Sequence, residues 1–528
     1  MATDPVLAGY ADETHRADPL SPAGRALGLW DGRLPDPAAE ADRATALRAH
    51  LADFDRLDPQ DATGRLDLAV SRIDATHRLR ELEELAPWTR IPYRATETLG
   101  AALQHAMTGE LLHTTLADVP RFLRDAVAAL DPRRVPGAYA EAALAALPGL
   151  GGLLAEAERV GADPAAVSGA RTALTAYEEQ VRDVAAEAGG SWVAGRDYLE
   201  HCLRDYFRLD VGVDELAAWG REQVARDQQR LTEHAAATGT GSWQEQIEAI
   251  RADHPAAEDL LDTYRAAVAR SRRHTEELRL ADLPAGEECL VDEVAEFQRH
   301  TMPMGFMDLA PTTGESLRSY LRITPVRRLE DGRPDPDHLA ESCHALITTI
   351  AGHETYPGHH LQRVHHKRAT AGNASIRRTF TSAVFVEGWG LYVEDVMRET
   401  GFMDSPGLTL YALRNSLWRS ARVVVDVGLH TGTLSQEEAV EVLMREAALG
   451  RHIAEGEVRR YIRHDNPSYP SAYALGRDAF HDLRRRWDAA GGGPLGAFHD
   501  AVMGYGSIPH ALFADDLLAR AAAGAGPR

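Results

Sequence analysis

One short stretch limits what this chain can fold into more than any other: Ile350-Ala351-Gly352-His353-Glu354-Thr355-Tyr356-Pro357-Gly358-His359-His360-Leu361-Gln362. A helical pattern enters it, with Leu346, Ile350 and His353 four and three residues apart on one face. The pattern cannot continue undisturbed. Pro357 has no N–H to offer the His353 carbonyl four residues back, and its ring collides with that carbonyl. Gly358 then admits backbone conformations that other residues resist. The helix must be remade inside a segment that carries His353, His359, His360 and Glu354.

Residues of these types, so closely spaced, point to a metal. In the short H-E-x-x-H arrangement two histidines one helical turn apart reach one zinc ion, and the Glu acts on a water at the metal. Here the spacing is longer. On an unbroken helix His359 would point about 120° away from the His353 face, and His360 would sit roughly 10 Å further along the axis. A two-residue bulge at Pro357-Gly358 brings His359 to the place of the second histidine. His360 is the alternative ligand. A second helical stripe, Phe380, Ala383, Val384, Glu387 and Leu391, runs through Phe385-Val386-Glu387-Gly388-Trp389-Gly390-Leu391-Tyr392. Glu387 holds a core position, where a carboxylate is costly unless a cation meets it. Two His and one carboxylate, with a fourth position open to water, form a common catalytic zinc set. Taken alone, His353 and His359 would pass for hydrogen-bonded core residues and Glu387 for the partner of an Arg, and the metal reading rests on their convergence.

The H-E-x-x-P-G-H stretch followed by the Glu-Gly-Trp-Gly helix resembles the domain-of-unknown-function family 885 (DUF885). That family is grouped by similarity with the gluzincin metallopeptidases, alongside thimet oligopeptidase-like and thermostable-carboxypeptidase-like enzymes. The resemblance extends to Gly195-Arg196-Asp197-Tyr198, to Leu417-Trp418-Arg419 through His430, and to Phe498-His499-Asp500. It implies further site residues. Arg422, Asp426 and His430, four apart on one helix, form a family-like run that can make charge-assisted contacts. His430 would polarise the substrate carbonyl or orient a zinc ligand; a solvated helix face or a buried ion network is the other reading. Tyr473 and Gly476, with Pro467 before them, resemble the family's Pro-x-Gln-x-x-x-Tyr-x-x-Gly segment, with Tyr469 standing at the Gln position. Tyr473 is then a candidate donor to a developing oxyanion. Arg484 matches a position able to bind a substrate carboxylate, and His499 is a second substrate-binding candidate. His365 and His366 are expected to be exposed.

These residues define the expected chemistry. Zinc bound by His353, His359 and Glu387 would activate water. Glu354 would take the proton and pass it to the leaving amine of a peptide or peptide-like amide. A metal-dependent enzyme acting on a non-peptide small metabolite shares the same residues. A non-catalytic helical binding protein would have no need of Glu354.

Composition excludes other classes. A net charge of −23 over 528 residues does not suit a nucleic-acid surface. Cys202, Cys289 and Cys343 are too few and too scattered for a disulfide framework, which favours a reducing compartment. Met1 to Leu20 lacks a signal-peptide pattern, and no apolar run long enough to cross a bilayer stands out. The expected setting is cytoplasmic, without a membrane partner.

The fold class expected is mainly α: a large multi-helix, gluzincin-like scaffold around a deep cleft, with a small β-sheet next to the zinc helix. The tentative organisation is an N-terminal helical region, 1–190, and a metallohydrolase-like region, 191–528. Helical patterns fill Pro37 to Glu84, Leu99 to His105, Val119 to Leu130 and Tyr139 to Leu147. Pro148-Gly149-Leu150-Gly151-Gly152 reads as a break, and Gly189-Gly190 as a joint after a helix from Pro164. Val213 to Glu233 and Glu258 to Leu278 read as helices. Glu287 to Ala310 is irregular. Leu317 to Pro325 alternates as a strand does. A strand before the zinc helix is, in gluzincins, an edge that pairs with substrate backbone; a hairpin packed on the helices is the other reading. Leu408 to Leu429 follows as a helix, and Ser435-Gln436-Glu437-Glu438 reads as a capping box.

Overall fold

A computed structural model describes residues 3–524 apart from 108, 297, 298, 300, 301 and 303. The protein is mainly helical, with one three-stranded sheet. It divides into two compact units. The first comprises the residues up to Ala194 together with Asn373–Thr379, and the second comprises Gly195–Gly372 and everything from Phe380 onward.

The first unit is built of helices whose apolar stripes are buried, such as Leu47 and Phe54 on Glu40–Phe54 and Val70 and Ile73 on Ala62–Arg80. The break expected at Pro148 does not occur. A single helix runs Gly137–Arg159, with Leu147, Leu150, Leu153 and Leu154 buried. Its packing against the helices Tyr93–Ala106 and Pro164–Ala186 outweighs the poor helix propensity of proline and glycine. Contrary to expectation, this helix is long and apolar enough to cross a membrane, the one such case among the described residues. Only 39 % of its most apolar window is buried, so core packing accounts for part of its apolarity. Asn373–Thr379 joins this unit through Asp67, which is buried and accepts from Arg377 Nε at 2.6 Å and from Asn373 Nδ2 at 2.9 Å. A buried carboxylate needs such partners. No local pattern in the sequence marks this return.

The elements of the second unit that build the site are helices α1 (Val213–Thr238) and α2 (Leu260–Glu277), strands β1 (Glu288–Glu293), β2 (Gly305–Asp308) and β3 (Arg318–Ile323), and helices α3 (His344–Ile350), α4 (His359–Ala369), α5 (Ala383–Glu399), α6 (Pro406–His430), α7 (Arg451–Tyr461) and α8 (Tyr469–Ala489). The strand predicted before the zinc motif is β3, but it is central. It pairs in parallel with β1 and antiparallel with β2. Both of its hydrogen-bonding edges are occupied, so the edge-strand role expected for it does not hold. Its buried residues Leu321 and Ile323 pack with Tyr264 and Val268 of α2 and with Ile347, Ala351 and Tyr356 around α3. The sheet thus forms a wall for the motif helix. The capping box at Ser435 is present: Ser435 Oγ accepts from the Glu438 N–H at 3.3 Å, and the Ser435 N–H donates to Glu438 Oε2 at 2.8 Å.

Helices α5 and α8 approach closely because each presents a glycine. A Cβ on Gly388 would lie 2.4 Å from Gly476 Cα, and one on Gly476 would lie 2.0 Å from the Val384 carbonyl oxygen. This contact sets the Glu387 face of α5 against the first turns of α8, which carry Tyr469 and Tyr473.

Candidate metal centre

The sequence expectation was a bulge within one helix, and the structure makes a sharper break. Helix α3 widens into a π-type turn over Ala351–Thr355, ends at the extended residue Tyr356, and α4 starts afresh at His359. Such turns recur at functional sites. Trp389 of α5 is fully buried and donates its indole N–H to the Pro357 carbonyl at 2.9 Å, so the second motif clasps the turn of the first.

This break brings His353, His359 and Glu387 together, with one possible ligand atom from each lying within 4.8 Å of the others. His359 Nε2 is 3.8 Å from Glu387 Oε2, and the two imidazoles meet edge to face at 4.7 Å between centroids. Ligand atoms around a tetrahedral zinc with bonds near 2.0–2.1 Å are separated by about 3.4 Å, so small side-chain movements would close the set on an ion. The donor chemistry also fits. Glu394 accepts a hydrogen bond from His353 Nδ1 at 2.7 Å, which leaves Nε2 as the free lone pair. Gly390 makes room for this ring, since a Cβ there would come within 2.5 Å of His353 Cε1. Tyr469 donates its hydroxyl to Glu387 Oε1.

The electrostatics suit cation binding. Burial opposes a charge on Glu387, but His359, the Tyr469 hydroxyl and His353 outweigh it and lower its pKa. Burial likewise opposes a charge on His353, yet the Glu394 hydrogen bond and the charges of Glu394, Glu354 and Glu387 raise its pKa above the usual imidazole value. Burial dominates at His359 and lowers its pKa. A metal must therefore displace a proton from His353. Metal affinity is expected to rise with pH up to the raised pKa of His353 and to level off above it, because the Nε2 lone pair is free only above that pKa. Glu394→Gln should move that rise to lower pH and cost roughly 10–100-fold in affinity at its plateau. Chelator competition across pH measures both, and identical profiles for the two proteins would contradict this electrostatic account.

Glu354 is half-buried, and none of the described residues hydrogen-bonds its carboxylate. Its charge nonetheless acts on both His353 and His359. His360, the alternative ligand, is committed elsewhere. Its Nε2–H donates to Glu287 at 2.8 Å, and its Nδ1 faces Ser319 Oγ at 2.9 Å. Ser319 Oγ already accepts from the Ala310 N–H at 3.0 Å, so the hydroxyl proton points to His360. Glu287 also accepts from the Tyr356 hydroxyl at 2.6 Å and from Arg272 at 2.9 Å.

Other expected site residues have partners outside the ligand group. His430 Nε2–H donates to the Tyr461 carbonyl at 3.0 Å, and burial pushes its pKa down to about 4. The Arg422–Asp426–His430 chain forms only in part: His430 Nε2 lies 3.9 Å from Asp426 Oδ1, but Arg422 pairs with Glu457 at 3.0 Å, and Asp426 accepts from Ser471 and from the Ser468 N–H. His499 is a core residue, held by the Leu280 carbonyl at 2.6 Å and the Tyr392 hydroxyl at 2.9 Å, with its pKa pushed down by burial to about 3. Arg484 pairs with Glu399 at 2.8 Å. His365 and His366 are buried rather than exposed, bonded to the Asp282 carbonyl and to Ser507. Tyr473 is different: its ring lies 5.7 Å from Tyr469, next to Glu387. Glu394 and the Tyr469 hydroxyl are parts of the centre that sequence reasoning missed. The available signal for Glu394 was its place seven residues after Glu387, on the same face of one helix.

Fold and site together describe a mainly helical protein with a two-histidine, one-carboxylate group that could hold a metal ion. The chain belongs to the DUF885 family, described as bacterial protein of unknown function, which it matches over residues 23–517. No curated protein matches it. Among solved structures it is similar to a candidate lipoprotein of unknown function from Shewanella oneidensis, at 17% identity and TM-score 0.77 over 97% of this chain and 99% of that one. It is equally similar, at 16% identity and TM-score 0.77 over 98% of both chains, to a candidate lipoprotein from Colwellia psychrerythraea. These likenesses establish the fold. An M32 carboxypeptidase from Deinococcus radiodurans R1 aligns over 99% of this chain and 96% of its own, at 14% identity and TM-score 0.43, too distant to carry a conclusion.

Proposed function

We propose that this protein is a zinc-dependent hydrolase that cleaves amide bonds in peptides or peptide-like molecules. The observation that carries the reading is the convergence of His353, His359 and Glu387, next in the chain to a Glu354 carboxylate that no described residue hydrogen-bonds and whose charge acts on both histidines. Zinc held by these three residues would supply Lewis acidity, polarising a carbonyl and making a water more acidic. Glu354 takes the proton of the attacking water and delivers it to the leaving amine. Glu394 keeps His353 in the tautomer that presents Nε2. The Tyr473 phenol, its pKa pushed up to about 12 chiefly by burial, stays protonated at neutral pH and can donate a hydrogen bond to a developing oxyanion.

The experiment is a digest of a mixed peptide library by the purified protein. Cleavage is expected, together with its loss on chelation and recovery with zinc. A zinc-loaded protein that leaves every peptide intact would overturn the peptidase reading, and turnover of non-peptide amides or esters alone would move it to a small metabolite.

A further inference from the structure

Beside the ligand group lies a cluster of arginines that the reaction above does not use. Helix α6 carries Arg414, Trp418, Arg419 and Arg422. The guanidinium carbons of the three arginines lie 5.1, 5.2 and 4.9 Å from the Trp418 ring. Arg422 is also 4.8 Å from the Tyr473 ring, and Arg460 of α7 is 5.4 Å from the Tyr461 ring. Among the described residues, one carboxylate makes ion pairs with any of these four cations. Glu457 pairs with Arg422 at 3.0 Å and with Arg460 at 3.1 Å. Arg414 and Arg419 meet no carboxylate among the described residues, and their hydrogen bonds go to Asn415 at 3.3 and 3.4 Å. Arg419 Nε and Trp418 Nε1 are buried without an acceptor, although buried donors are ordinarily satisfied.

Such a local excess of positive charge stands out in a chain of net charge −23. Burying guanidinium groups without a carboxylate partner is costly, and stacking on Trp418 offsets part of that cost. The cluster reaches the metal-binding group through Tyr473, whose ring lies against Tyr469, the donor to Glu387. The charge of Arg419 also acts on Glu394 and Tyr473. A planar guanidinium with two parallel N–H groups is matched to a carboxylate.

We propose that Arg419, supported by Arg414 and Arg422 around Trp418, forms a subsite for a carboxylate on the substrate, on the Tyr473 side of the ligand group. This inference rests on the hydrolase reading and narrows it to carboxylate-bearing amides. The carboxylate is either the free C-terminus of a peptide or an acidic side chain near the scissile bond.

The test is calorimetric binding to zinc-loaded Glu354→Gln protein, which holds peptides without turning them over. Three peptide pools are compared: free-acid C-termini without acidic residues, the same peptides amidated, and amidated peptides containing Asp or Glu. Hydrogen bonds to a charged group predict that at least one carboxylate pool binds about tenfold or more tightly than the neutral pool. Which pool wins identifies the source of the carboxylate. Adding Arg419→Gln should erase the preference with zinc content unchanged, and Arg419→Lys should retain part of it. Equal affinity for all three pools overturns the subsite without needing any Arg419 variant, as does a preference that survives Arg419→Gln. Zinc content and wild-type digestion report separately on the hydrolase reading. A protein that binds zinc and cleaves peptides but shows no carboxylate preference loses the subsite alone. One that shows the preference and never cleaves loses the hydrolase reading alone.

Discussion

The Glu354→Gln protein is expected to fold, retain its zinc and hydrolyse substrate at no more than about a hundredth of the wild-type rate. General-base catalysis contributes roughly 10²–10⁴-fold, and the lower end of that range sets this limit. Retention of metal follows from the geometry. Glu354 is next to His353 in the chain but is not one of the three residues whose ligand atoms converge. The glutamine keeps the shape and removes the base. A variant with near-normal turnover would rule out the proposed mechanism. A variant that lost its zinc would make Glu354 a ligand.

The second large effect separates two adjacent histidines. His359→Ala should abolish zinc binding and leave the fold in place, because His359 Nε2 faces Glu387 and the residue belongs to the converging group. His360→Ala should do the reverse. It removes the ring that joins Glu287 to Ser319 and leaves a buried carboxylate short of a donor. Under-satisfying a buried polar group costs roughly 1–3 kcal/mol, and more when it is charged. Denaturant midpoints and metal content on both variants test this. Loss of zinc only in His360→Ala would mean that the chain turns differently at Pro357-Gly358.

The contrast between these neighbours shows what the sequence could carry. Helical periodicity located His353 and the inward-facing, half-buried position of Glu387, because both depend on local spacing. It left His359 and His360 open, since the choice depends on how the helix is remade at Tyr356-Pro357-Gly358 and on Glu287 arriving from another part of the chain. The same limit applies to His430, His499 and Arg484. Their partners are the Tyr461 carbonyl, the Leu280 carbonyl and Glu399, none of which local spacing reveals. The strand at Arg318–Ile323 was legible from its alternation, but its central place depends on two further strands drawn from an irregular stretch. The helix through Pro148 was misread because burial of its leucines outweighs local propensity. The predominantly helical class needed only the repeated three- and four-residue stripes.

The central claim is that His353, His359 and Glu387 hold one metal ion. Elemental analysis of the purified protein tests it most directly, comparing wild type with His353→Ala and Glu387→Ala. The account predicts about one zinc per chain in the wild type, as a single ligand set requires, and loss of that zinc in both variants. Full zinc occupancy in the two variants would contradict it.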